Sequence, residues 1–419
     1  MELSEVDRAL LDGKHGPASK LAMSILVRMG EIQDAAHMLD IRAAHIDSTL
    51  YMGEATLEFA ERLAGMGAQV AVPTTLNVSG VDVAGWHDWA VPPEWAENAA
   101  RQMRAYQGMG AVPTWTCAPY QTEYKPGFGD QIAWGESNAV VFANSVIGAR
   151  TERYPDLLDI CAAVTARVPA VGLHLDEHRG GQVLLRLVDV PAELQAQNSF
   201  YPVLGHLMGE VAGDRVVVVD GLRVQPDEDQ LKALGAAAAS SGSVALFHLV
   251  GITPEAPDLP TAMRGQAPEA LHEVRVPDLR RAWGELTTHT GNPLDMIVLG
   301  SPHFSLNEFR QLAPLLAGRH RHPRVRFLVT SSRAMAALAE QAGALEGLRQ
   351  FGGQVTLDTC ILTTPMLPDD VKTLMTNSAK YAYYAPGLLG TEVVFGSLED
   401  CVNSAVEGRV VRDDSPWRG

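Results

Sequence analysis

The chain is short of cysteine, of positive charge and of long apolar runs, and each shortage closes off a class of protein. Four cysteines stand at positions 117, 161, 360 and 401 of 419 residues. Spaced so widely, they match no short disulfide or metal-binding motif. A chain of this length buries enough core to hold its fold without covalent staples. The opening stretch MELSEVDRALLDGKHG is polar and helical rather than leader-like. Reduced thiols and a cytoplasmic protein are therefore expected. The longest apolar stretch, LKALGAAAASSGSVALFHLVG, is broken by serine and glycine, so no membrane partner is expected. Thirty-three basic residues face fifty acidic ones, a net charge of −17. That balance argues against nucleic acid, whose phosphates need clustered cations. The one basic cluster, GRHRHPRVR at 318–326, reads as a solvated turn before a strand.

What remains is a globular α/β pattern. Apolar spacing predicts helices in SKLAMSILVRMGEIQDA, GEATLEFAERLAGMG and GESNAVVFANSVIGAR, the last of them buried. AQVAVPTTLN, VPAVGLHL, RVVVVDGL and SVALFHLVGITP read as strands. The pattern weakens over 84–134, and 255–285 reads as an exposed, proline-rich excursion. The last third is plainest: LDMIVLGSP, RVRFLVTSS and QVTLDTC are strands separated by two amphipathic helices. Strand–helix alternation of this kind builds a parallel sheet. Two approximate regions are expected, 1–210 and 211–419, the second carrying that sheet.

Parallel sheets gather ligands beyond the carboxyl ends of their strands. Ser301, Thr330, Ser331, Ser332, Asp358, Thr359 and Cys360 fall there. Cys117 lies on a loop, because Pro119 keeps Ala118 out of a helix. Ser397 and Asp400 form a capping-box-like helix start that puts Cys401 near the first turn, where a thiol ionises more readily. Cys161 sits on the apolar face of a predicted helix and reads as core. If Cys117, Cys360 and Cys401 meet, they can hold zinc or an iron–sulfur cluster; otherwise each is a separate filler. Spacings of 243 and 41 residues do not decide between these readings.

Long ordered stretches bear on that choice: VPTTLN (72–77), TCAPY (116–120), WGESNAVVFANSVIGAR (134–150), ALGAAAASSGSVALFHLVGITPEA (233–256), LGSPHFS (299–305), DTC (358–360), MTNSAKYAYYAPG (375–387) and FGSLEDC (395–401). In these the chain resembles the large, catalytic subunit of the aconitase X family. The resemblance implies an aconitase-like α/β fold with several subdomains and parallel sheets around an iron site. The cofactor it implies is an iron–sulfur cluster, 2Fe-2S or 4Fe-4S, or a mononuclear iron. It also implies a hydro-lyase that dehydrates a small hydroxy acid. Cys117, Cys360 and Cys401 match its ligand candidates. Many members of that family read Gly-Cys-Pro-His where this chain has Gly300-Ser301-Pro302-His303, which weakens a four-cysteine reading. The Gly-Arg-Gly-Ser-like segment that carries the family's catalytic serine is not found in this sequence. The expected partner is therefore a separate small, swivelling subunit.

Dehydration needs a group to take the leaving hydroxide and a base for the proton. His45 and His174 are candidate donors to substrate oxygen, with a structural histidine as the plain alternative. Thr74, Thr75 and Asn77 resemble substrate-proximal positions. Glu136, Ser137 and Asn138 open a helix whose amides suit a carboxylate, although Glu136 would repel one and so reads as an orienting residue or a protonated acid. Lys380 is a candidate partner for a substrate carboxylate, flanked by Asn377 and Ser378. Tyr120 offers a hydroxyl beside Cys117, or simply packs, and Ser331 lines a strand end. Two substrates follow from the resemblance. Composition rich in Ala, Gly, Arg and Val favours cis-3-hydroxy-L-proline, and few cations within the motifs disfavour mevalonate 5-phosphate. Another hydroxy-acid dehydratase or isomerase is a third possibility, and a non-catalytic metal- or redox-sensing protein on the same fold is the other class.

Overall fold

The computed structural model describes residues 1–418. It contains three parallel sheets and one two-stranded antiparallel pair. The first parallel sheet has the order Thr74–Leu76, Ala44–Ile46, Ala133–Trp134. The second runs Phe247–Leu249, Val217–Asp220, Val183–Leu187, Ala270–Val274. The third runs Gln354–Leu357, Arg326–Ser331, Met296–Leu299, Thr373–Thr376, Glu392–Phe395. In the third sheet the chain starts at the central strand, moves outward one way, then returns to the other side. Its switch point therefore lies between Met296–Leu299 and Thr373–Thr376, where a crevice opens at the carboxyl ends. No helix among the described residues is long and apolar enough to cross a membrane.

Several elements depart from the sequence expectation for local reasons. Residues 84–134 contain a 16-residue helix, Pro93–Gly108, whose buried face includes the polar Asn98 and Gln102. Polar residues on the inner face blunt the apolar period that announces a helix. The 255–285 stretch is not an excursion: it supplies the strand Ala270–Val274 and the helix Val276–Glu285. That strand is mostly exposed, so it lacks an apolar signature. VPAVGLHL is a short strand, Arg167–Pro169, followed by the tight turn Gly172–His174.

The serine-broken stretch of 231–251 forms the helix Glu228–Gly242 and the strand Phe247–Leu249. Its helix packs tightly on Phe200–Ala212. The two backbones approach so closely that a Cβ on Gly209 would stand 2.7 Å from the Ala238 carbonyl oxygen and from the Gly242 nitrogen. Small residues here serve close packing. Gly209→Val is expected to lower unfolding free energy by about 1–3 kcal/mol, the cost of overpacking. Urea denaturation checks this, and an unchanged midpoint would show that the helices separate freely.

Candidate active site

Two sheets aim their carboxyl ends at one place. In the first, the residues just beyond the strands are Asp47, Asn77 and the Gly135–Glu136 pair. In the third, the corresponding loops carry Ser301, Cys360 and Asn377–Lys380. Backbone bonds stitch the two together: the Ser79 amide donates to the Asp358 carbonyl at 2.8 Å, and Thr359 Oγ1 donates to the Ser79 carbonyl at 3.0 Å. Residues 280 positions apart in sequence thus share one wall. Gly300 has φ of 96°, and a Cβ there would meet Thr330 Oγ1 at 3.0 Å. Only glycine lets the chain turn sharply enough to deliver Ser301.

Glu136 is the hub. It caps the helix Ser137–Phe142, its Oε2 accepting from the Ala139 amide and from Asn138 Nδ2, both at 2.9 Å. Its Oε1 pairs with Lys380 Nζ. Burial alone would raise this carboxyl, but Lys380, Asn138 and the Ala139 amide outweigh it and hold it below the usual glutamate range. Glu136 is therefore ionised. Lys380 is charged as well: burial opposes its charge, but Glu136 overrides that and raises its value. The lysine anticipated as a partner for substrate is first a partner for Glu136.

Cys117 and Cys360 lie beside this pair. Each thiol is felt by Lys380 and Glu136, and Cys117 feels Cys360. The His303 amide donates to Cys117 Sγ at 3.2 Å. The Gly300–His303 segment thus packs directly on Cys117. Burial, then Glu136, push the Cys117 thiol up to about 12. The structure does not bring Cys401 to them. Its helix and capping box form as expected, but the thiol is wholly buried in the apolar core with Leu398, Val402, Met375 and Val394. A position near a helix start does not decide which way a side chain faces. Cys401→Ala is expected to cost about 1–2 kcal/mol of stability through the small cavity left while leaving bound metal per chain unchanged, as metal analysis would show. Cys161 is wholly buried core.

His45 is wholly buried on the central strand of the first sheet, its Nδ1 2.8 Å from Thr75 Oγ1 and its ring against Trp134. Its Nε2 has no protein partner, and neither do Asn77 Oδ1 or His303 Nδ1. Buried polar atoms left unpaired cost free energy; the Asn77 side chain and the Thr116 backbone stand next to the His45 ring, and both His45 and His303 lie in the field of Glu136. Burial, only partly offset by Glu136, drives His45 down to about 4 and keeps it neutral. Asp47 went unnoticed in the sequence although it stands two residues from His45. It binds Asn77, and burial followed by Glu136 and Asp159 push it up to about 7.

The remaining candidates divide. Tyr120 OH donates to Asn138 Oδ1 at 2.7 Å, so it orients the Glu136 cap. Ser137 Oγ is 3.4 Å from Glu136. Ser378 caps the helix that carries Lys380 and binds the Ser301 carbonyl. Asn377, Ser378 and Ser301 line an adjoining cleft of about 570 Å³. Thr74 is spent on the Val72 carbonyl, and Ser331 on the Phe304 carbonyl at 2.9 Å. His174 sits apart, between Gln131 and Tyr154.

This geometry agrees with the family assignment. Residues 1–177 match the first domain of aconitase X, 181–284 the second and 294–407 the third. The chain belongs to the aconitase X family. A cis-3-hydroxy-L-proline dehydratase of Pseudomonas aeruginosa is 50% identical over 97% of this chain and 70% of its own length. One from Hypocrea jecorina is 46% identical over 97% and 69%. A phosphomevalonate dehydratase large subunit of Methanothermobacter thermautotrophicus is 38% identical over 94% and 96%. The crystal structure of Thermococcus kodakaraensis aconitase X in its holo-form superposes with a TM-score of 0.86 at 33% identity, over 97% of this chain and 100% of that one. Aconitase X membership carries with it the fold described above and a metal or iron–sulfur cofactor of a type these relatives do not specify.

Proposed function

We propose that this chain is the catalytic subunit of a dehydratase that removes water from a small hydroxy acid, with cis-3-hydroxy-L-proline as its substrate. The observation that carries the reading is the convergence of two thiols, an ionised buried carboxylate and a buried lysine at the carboxyl ends of two sheets. Relatives at 50% and 46% identity named for that substrate support its choice. Both lysines that act on this centre are already committed: Lys380 to Glu136, and Lys232 to Glu308 and Asp229. That leaves little cationic capacity for the phosphate of mevalonate 5-phosphate.

The donor set fits a single iron better than a cluster held by three cysteines, because Cys401 faces away. Cys117, Cys360 and Glu136 are the residues that would hold it, and their ligand atoms would draw together on binding, since among the described residues only His206, Glu210 and Glu285 already stand within 4.8 Å of one another. When bound, the iron supplies Lewis acidity to a substrate hydroxyl or carboxylate. The chain's own groups do the rest. His45 Nε2 and Asn77 Oδ1 meet substrate polar atoms. Asp47, raised to about 7, is the candidate proton donor to the leaving oxygen. Tyr120 and Asn138 keep Glu136 in place. The base is expected on a small subunit, as the name of the archaeal large subunit suggests.

The deciding experiment is anaerobic reconstitution with iron and the small subunit, followed by assay on cis-3-hydroxy-L-proline and on mevalonate 5-phosphate. Turnover of the first alone supports the proposal; turnover of neither rejects it. His45→Ala is expected to lower kcat/KM by about 10²–10³-fold with iron content unchanged. A carboxyl raised to about 7 is protonated below that pH and loses its proton above it. Activity should therefore fall as pH rises through 7, and Asp47→Asn should flatten that limb while lowering the plateau.

A further inference from the structure

A second cluster of metal-ligating side chains lies outside this site. His206 and Glu210 are one turn apart on Phe200–Ala212, and Glu285 ends the neighbouring helix Val276–Glu285. His206 Nε2 is 3.7 Å from Glu210 Oε1 and 3.9 Å from Glu285 Oε2. The histidine is only 6% exposed, yet Nε2 has no hydrogen-bond partner and points into the two carboxylates. About a third or more of each carboxylate side chain is exposed, and an ion would enter from that side by displacing Arg281.

We propose that His206, Glu210 and Glu285 form a site for a divalent cation of the zinc class, separate from the catalytic centre. One imidazole nitrogen and two carboxylate oxygens, with a fourth position open to water, are a donor set that zinc accepts. Bonds of about 2.1 Å in a tetrahedron place donors about 3.4 Å apart. The two histidine–carboxylate spans of 3.7 and 3.9 Å therefore need to close by only a few tenths of an ångström, and all three donors already lie within 4.8 Å of one another. Burial lowers the histidine's value, partly offset by Glu210 and Glu285, so the nitrogen lone pair is available near neutrality. The Tyr383 ring packs on the histidine from the helix Ala379–Leu389 and limits its rotation.

Arg281 defines how the site works. Its Nη1 lies 2.6 Å from both Glu285 oxygens and 3.2 Å from Glu210 Oε2. The guanidinium occupies the outer side of the carboxylates and holds them together, half exposed and free to swing away. It competes with an entering cation for the same charge. With the ion bound, two helices of the second domain are cross-linked near the surface.

The test uses the whole chain, stripped by chelation and titrated with zinc and then with cobalt(II). Wild-type protein should take one equivalent more metal than its His206→Gln variant. The cobalt–thiolate absorption of the cysteine site should be the same in both. Arg281→Gln should bind that extra equivalent roughly tenfold more tightly, because a competing neighbour is gone. Zinc should raise the unfolding midpoint of wild type but not of Glu285→Gln. Equal stoichiometry in wild type and His206→Gln overturns the proposal. So does loss of the thiolate band together with the extra equivalent, since that would mean a global effect. If His206→Gln does not fold, Arg281→Gln decides alone: unchanged or weaker binding of the second equivalent overturns the site.

Discussion

Cys360→Ser is expected to abolish turnover and to leave less than about a tenth of a metal ion per chain. The thiol stands on the loop beyond Gln354–Leu357, half-buried, within the field of Lys380, Glu136 and Cys117. Removing it leaves one thiol and one carboxylate, a set too weak and too hard to keep iron against buffer. The loop is held by backbone bonds that do not involve this side chain, among them those to Ser79. The fold should therefore survive, and circular dichroism should match wild type. Metal analysis after anaerobic loading checks the expectation. A variant that keeps a full equivalent of iron would remove Cys360 from the ligand set and, with it, the proposed centre.

The second large effect concerns the buried pair. Lys380→Met leaves Glu136 buried without its counter-charge, a loss of about 3–5 kcal/mol when one partner of such a pair is removed. The pH dependence should change sign. In wild type the Glu136 carboxyl is held below its ordinary value of 4.5, so its contribution is present above that pH and is lost as pH falls through the depressed folded value. In the variant, burial dominates and raises the carboxyl. Its contribution is then present below the ordinary value and is lost as pH rises through the raised one. Urea titrations at pH 5 and pH 8 should show wild type gaining or holding stability at the higher pH and the variant losing it. Lys380→Met with Glu136→Gln should recover most of the stability and none of the activity. Equal stability of the single and double variants would mean that water screens the pair.

Much of this site was legible before any coordinates. The strand–helix alternation of the last third predicts a parallel sheet and puts Cys360 and Ser301 at the carboxyl ends of its strands, because a period of two followed by a period of 3.6 is a local signal. Glu136 and Lys380 are each candidates from the sequence, although not as partners: 244 positions separate them, and nothing local reports such a contact. Asp47 was passed over because an aspartate at a strand end is ordinary until burial and a neighbouring carboxylate raise it. The helix Pro93–Gly108 was missed for a similar reason, since its inner face buries polar groups.

Cys401 shows most directly where sequence reading stops. Its helix and the capping box of Ser397 and Asp400 are local properties, determined within four residues, and both formed as expected. Which side of that helix faces the core depends on how the sheet beneath it twists and what packs above, and this places the thiol among Val394, Val402 and Met375. Sequence alone thus determined the alternating elements of the last third and the family, because those follow from short-range spacing and ordered motifs. Tertiary structure alone decided that Cys401 is core and that Glu136 pairs with Lys380 beside Cys117 and Cys360, because such contacts are made by side chains that only folding brings together.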